Sequence, residues 1–327
     1  MTTSMLSTDI LIVGAGLAGL AAASSLKHRG YDTLVIDKSR KIGGRLASKR
    51  IGRAQFDYGA QFMTAREPLF LSLMDECESR GLLKQWFSSR QGDKQIHPRW
   101  CGISAMTDIA EYLASSLQLR PGYQMAAIKR ASNSWSAHIC SGEIIKAQAV
   151  VLTQPVPQIL DLLKDSGITL PVNIARRLTG IKYEKCLAVL ATLNDRSKIG
   201  PPGGVKFTNG PISWLADNYL KGISQVPAVT IHGAPHFSED HWHSDRQESG
   251  GLLVEAAKSL IGAGISEFHV HGWRYAKPVR VDQDRYLVIS LMPPLILAGD
   301  AFGGPRVEGA AMSGWRAAAA LEHMLRP

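Results

Sequence analysis

Three glycines set the first chemistry of this chain. Gly14, Gly16 and Gly19 stand in the spacing GxGxxG, directly after a short apolar strand at residues 9 to 13 and before a helix-forming run that reaches about Arg29. Gly14 permits a tight turn, and Gly16 leaves room for a pyrophosphate to approach the backbone. Gly19 lets helix and strand pack closely, and the first helical residues, Leu17 and Ala18, offer free N–H groups to the anion. A second strand, TLVI, ends at Asp37 and is followed by Lys38. An acid at that distance accepts hydrogen bonds from ribose hydroxyls. Strand, glycines, helix, strand and acid in this order predict a bound dinucleotide.

Further groups extend the site. Gly43-Gly44-Arg45 lies shortly after the ribose acid; paired glycines let backbone approach a flat or charged ligand, and Arg45 can supply a diphosphate contact. The stretch DYGAQFMTAR, residues 57 to 66, reads as a polar turn with core residues behind it. Gly59, Ala60 and Gln61 are expected against the cofactor ring, with Phe62 and Met63 anchoring the turn. Far downstream, an apolar strand ends at Gly299-Asp300, and after a glycine-rich loop a helix begins near Gly309, flanked by Glu308 and Ala310. Its N-terminus carries roughly half a positive charge for an electron-rich ligand edge.

The elements that must position these groups are legible in outline. Residues 67 to 96 read as largely helical, and 97 to 117 as a loop and an amphipathic helix. Residues 124 to 155 suit a three-stranded meander followed by a strand rejoining the first sheet. The expected fold class is α/β, a Rossmann-like nucleotide domain with a mixed α+β substrate domain. Residues 1–66, 97–155 and 271–327 are assigned to the first domain, and 67–96 and 156–270 to the second. IGAGIS, 261 to 266, lacks a third glycine and follows a helical segment, so it reads as a helix C-terminal turn. Only one dinucleotide fingerprint is present.

Composition narrows the class. With 45% apolar and 20% charged residues in 327, the chain has ample core for a globular protein. The net charge of +9 is spread without basic runs interleaved with aromatics, which argues against nucleic acid and suits a small anionic ligand. Four cysteines, Cys77, Cys101, Cys140 and Cys186, show no CxxC and no metal-ligand spacing, which points to a reducing, cytoplasmic setting. The apolar run 10 to 26 follows Asp9, has no basic leader, and reads as protein core rather than membrane span. HFSEDHWHSD, 236 to 245, matches no standard metal set and is expected to be a solvated loop or helix start.

The continuation Gly43-Gly44-Arg45 and the Gly299-Asp300 box resemble those of FAD proteins of the glutathione reductase and amine oxidase type. Together RWCGISAM (99 to 106), YEKCLAVL, PISWLADN, HGWRYAKP, RVEGAAMSG and DYGAQFMTAR resemble the renalase group of small FAD proteins, along the whole chain. One departure is Ile103-Ser104-Ala105, where that group usually carries proline and glycine. The resemblance implies non-covalent FAD, with Asp300 on the ribityl chain and the last helix aimed at the flavin pyrimidine edge. It implies oxidation of 2- and 6-dihydro-NAD(P) by hydride transfer to flavin N5, with O2 reduced to H2O2. Gln61, Trp214, His271 and Trp273, with Tyr275 second, are then expected to line the substrate face. The tryptophans would form flat walls, and Gln61 or His271 would bond a carboxamide. Arg306 would meet substrate phosphate or cap its loop. A flavin amine oxidase or desaturase, and a non-catalytic flavin sensor, are the alternatives.

Overall fold

The computed structural model describes residues 5–88 and 97–326. The buried apolar runs assemble into an eight-stranded sheet. Its main path runs Leu287–Leu291, Pro294–Leu297, Ile144–Leu152, Met5–Val13, Thr33–Asp37 and Gln118–Pro121. The four strands from Pro294–Leu297 to Thr33–Asp37 are mutually parallel, as is Gln118–Pro121. Parallel strands buried on both faces need continuous apolar sequence, and Ile10, Leu11, Ile12, Val150 and Val151 are all fully buried. Their carboxyl ends converge on one edge, where such sheets bind ligands.

Helices Leu17–His28 and Val307–Leu325 pack against each other on one face. A Cβ on Gly314 would sit 2.1 Å from the Ala18 carbonyl oxygen, so the close crossing of these two helices requires glycine there. This contact joins the two ends of the chain.

A five-stranded antiparallel sheet forms the second layer, in the order Gly204–Lys206, Ile212–Asp217, Ala228–Gly233, Lys182–Leu193 and Ile265–Arg280. Leu187, Val189 and Ile231 bury one face under Leu253 of helix Arg246–Ile261 and Phe237 of helix Pro235–Asp240. The opposite face carries Leu190 and Ala228 against Phe56 of the hairpin Ser48–Ile51 and Ala54–Asp57.

Several sequence-based boundaries are corrected. The strand Ile265–Arg280 stays in the second sheet throughout, so a boundary at 271 falls inside it. Within 67–96, helix Pro68–Ser79 buries Phe70, Met74 and Cys77 in the nucleotide-side core rather than in the substrate layer. It is followed by the strand Leu83–Phe87, not by more helix; residues 89–96 of that segment lie outside the described residues. Between 124 and 155 there are three strands in all, and the third, Ile144–Leu152, is itself the one that joins the parallel sheet. Elsewhere the reading of IGAGIS stands: helix Arg246–Ile261 ends on Gly262 with φ 62°. HFSEDHWHSD forms a short helix and a turn to Asp245, whose carboxylate caps the next helix through the Gln247 and Glu248 N–H groups. No group of three metal-ligating side chains occurs among the described residues, and no described helix is long and apolar enough to cross a membrane.

Candidate active site

A cavity of about 2280 Å³ opens at the carboxyl ends of the parallel strands and reaches across to the second sheet. Gly14, Gly16, Leu17 and Ala18 line it from one side, and Trp214, His232, His271 and Trp273 from the other. Every residue expected from the sequence to bind cofactor or substrate lies on its wall except Gly19, Glu308 and Gly309.

The nucleotide end has the form of a cradle. Helix Leu17–His28 starts with no side-chain cap, which leaves its first N–H groups open to an anion. A Cβ on Gly16 would meet nothing within 4 Å, whereas one on Gly44 would come 3.2 Å from the Gly16 Cα. Backbone from the two glycine motifs thus meets edge to edge, tied by the Gly43 N–H to the Ala15 carbonyl at 2.8 Å. Asp37 accepts the N–H groups of Ala15 and Ser39, each at 2.7 Å, which fixes its carboxylate at the strand end. Burial raises its pKa, and those two N–H groups oppose the rise. Gly19 stands behind the cradle: its Cβ would lie 1.9 Å from the Gly14 carbonyl oxygen, so it serves packing, as its place in the motif implies. These residues fit FAD.

Arg45 and Asp300, expected at different parts of the cofactor, are bonded to each other. Arg45 donates from both terminal nitrogens to the two Asp300 oxygens at 2.6 and 2.7 Å, and also to the Tyr275 carbonyl at 3.3 Å. The pair braces the Gly43-Gly44 turn against the strand-end loop. Glu308 departs from its expected role, because its carboxylate accepts the N–H groups of Arg66 and Glu67 at 2.5 and 2.7 Å. Gly309 is likewise structural: its Cβ would press to 2.2 Å from the Gly304 carbonyl oxygen. Ala310 and Arg306 do reach the cavity wall.

The turn after Asp57 is held from below by groups that the sequence reading missed. Asp57 is fully buried and its carboxylate accepts from Ser48 Oγ, the Met106 N–H and Lys221 Nζ. Lys221, equally buried, donates at 2.6 Å to Asp57 and at 2.7 Å to the Gln61 carbonyl, with the Trp86 ring 4.8 Å away. Gln61 lies on the cavity wall, but its amide nitrogen donates to the Asp57 and Gly59 carbonyls. Its amide nitrogen therefore secures its own turn, while its buried carbonyl oxygen has no partner among the described residues. At the family departure, Asp108 accepts the N–H groups of Ser104 and Ala105, and so shapes that loop without proline.

Aromatic rings form the wall opposite the cradle. Tyr58 and Trp273 stack with centroids 5.4 Å apart and planes 21° apart, and His271 meets both edge-on. The Tyr58 carbonyl accepts from Trp273 Nε1 at 2.9 Å and pairs with His232 Nε2 at 3.1 Å, which fixes the tilt of the wall. Trp214 packs with Phe62 at 5.6 Å and Trp86 at 6.2 Å. Burial pushes His232 down to about 4 from an ordinary 6.5 and also lowers His271, which Lys49 and Arg246 depress further. Both imidazoles are neutral at pH 7. Because the His232 pKa is lower folded than unfolded, its contribution to stability is complete above about pH 6.5 and is lost as pH falls towards 4. Thermal midpoints should decline across that window, and His232→Gln should flatten the decline.

Comparison with known proteins agrees with this geometry. Residues 12–77 match the NAD(P)-binding Rossmann-like domain, and residues 82–321 match the flavin containing amine oxidoreductase family. Renalase of Mus musculus is 24% identical over 318 residues, which cover 90% of this chain and 92% of that protein. Protoporphyrinogen oxidase 2 of Arabidopsis thaliana is 35% identical, but over 108 residues, 33% of this chain and 21% of its own length. The structure of putrescine oxidase bound to putrescine superposes with a TM-score of 0.73 at 14% identity, over 98% of this chain and 100% of that one, which shows a common fold. The chain belongs to the flavin-containing amine oxidoreductase family, as a renalase-like oxidoreductase whose cofactor is FAD.

Proposed function

We propose that this protein oxidises 2- and 6-dihydro isomers of NAD(P) to NAD(P)+ with O2 as electron acceptor. The observation that carries the reading is the cavity itself. It holds one dinucleotide cradle, yet its 2280 Å³ exceeds the roughly 300–1,000 Å³ of a pocket for one small ligand. The remaining space is walled by aromatic rings and has no second nucleotide motif. A nicotinamide would thus enter as substrate beside a resident flavin.

FAD, when bound, takes up a hydride and passes two electrons to oxygen. The balance is dihydro-NAD(P), O2 and one proton giving NAD(P)+ and H2O2. The broken C–H bond leaves with its electron pair and the ring becomes aromatic, so no base has to remove a proton from carbon. On the wall, burial lowers the pKa of His232 and His271, which makes both weak proton acceptors, and Lys185 is paired with Glu239 at 2.6 Å. The work left to the chain is positioning: Trp214 and Trp273 supply flat surfaces, and the Tyr58 carbonyl holds Trp273 in place.

An amine oxidase needs two aromatic rings facing each other across a gap that admits the amine. Tyr58 and Trp273 are instead in mutual contact, which favours a flat substrate laid along the wall. The test is oxygen consumption with peroxide release. Both are expected with the dihydro isomers and absent with putrescine and simple amines; turnover of amines alone would overturn the reading.

A further inference from the structure

Beside the aromatic wall lies a second, smaller cavity of about 290 Å³, which shares Tyr58, His271 and Lys41 with the main one. Lys49 and His269 complete its polar lining, and no carboxylate takes part. Among the described residues, neither lysine and neither histidine makes an ion pair or a side-chain hydrogen bond. The field of Lys49 reaches His271, which it helps to keep neutral.

Three segments bring these groups together. Lys41 sits in the loop after Asp37, and Lys49 in the strand Ser48–Ile51. His269 and His271 are two residues apart on the strand Ile265–Arg280, hence on one face of it. Four nitrogen-bearing side chains around a space the volume of about ten waters suit one anionic group with several acceptor oxygens.

We propose that this side chamber is the phosphate subsite for the nicotinamide mononucleotide half of the substrate. The assignment rests on the function proposed above. A ring laid against Tyr58 and Trp273 places its ribose phosphate one sugar away, and the chamber opens at Tyr58. Lys49 supplies charge, Lys41 guards the junction with the main cavity, and His269 adds a ring N–H donor. Specificity for phosphorylated dihydronicotinamides over the bare riboside follows from these cations rather than from the aromatic wall.

The test uses the FAD-bound enzyme and three substrates: dihydro-NAD, its mononucleotide and the phosphate-free riboside. Lys49 does not line the cofactor cavity, so Lys49→Gln should retain FAD. Its KM for the two phosphorylated substrates should rise about tenfold, the scale of one charge-assisted hydrogen bond. The riboside KM and all kcat values should stay unchanged, and Lys49→Arg should restore most of the loss. Equal effects on all three substrates, or none, overturn the subsite while leaving the proposed reaction standing. If the wild-type protein oxidises none of the three, the reaction itself is wrong and the subsite falls with it.

Discussion

Lys221→Met should cost about 3–5 kcal/mol of stability, the usual penalty for stranding one partner of a buried ion pair. Asp57 and Lys221 both have side chains at 0% exposure, 2.6 Å apart. Removing the ammonium leaves a carboxylate with two donors, Ser48 Oγ and the Met106 N–H, and no countercharge. It also removes the donor to the Gln61 carbonyl, so the turn bearing Gly59 and Ala60 loses support at the cavity wall. The double variant Lys221→Met/Asp57→Asn should recover much of the loss, because a neutral amide is far cheaper to bury than an unpaired charge. Urea unfolding of the three proteins measures this. A single variant as stable as wild type would show that the pair does not hold the turn.

Gly16→Val should fold and yet hold FAD markedly less tightly. At Gly16 φ is −78°, an ordinary value for any residue, and the space in front of it is open to 4 Å. The free protein thus tolerates the side chain. A pyrophosphate laid over the helix N-terminus does not, because the methyl groups occupy its approach. Overpacking of about 1–3 kcal/mol translates to about fivefold to 150-fold weaker binding. Gly19→Ala is the contrasting control. Its Cβ would collide at 1.9 Å with the Gly14 carbonyl oxygen, so that variant should lose fold stability first. FAD titration and thermal melting of the apoproteins separate the two outcomes; tight FAD binding by Gly16→Val would remove the cradle from its assigned place.

The nucleotide half was legible because its signals are local. Gly14, Gly16 and Asp37 report a turn, a close approach and a strand end within 24 residues, and their spacing alone specifies the geometry. The aromatic wall was legible only in composition. Trp214 and Trp273 are flat and apolar in any context, and their meeting at one cavity depends on the register of strands far apart in sequence. Asp57 and Lys221 are 164 positions apart, so neither carried a readable signal. Gln61 lies on the cavity wall, but the two carbonyls of its own turn that its amide nitrogen finds carried no signal in the sequence. Glu308 was misread for a similar reason. An acid at a helix N-terminus beside a cofactor loop suggests ligand contact, whereas the fold brings the Arg66 and Glu67 N–H groups to it.

The most direct measurement is anaerobic mixing of the FAD-bound protein with each candidate substrate while the flavin absorbance is followed. Rapid bleaching by 2- and 6-dihydro-NAD(P), with NAD(P)+ formed in equal amount and no bleaching by putrescine, is the predicted result. Bleaching by amines, with the dihydro isomers inert, would contradict the account.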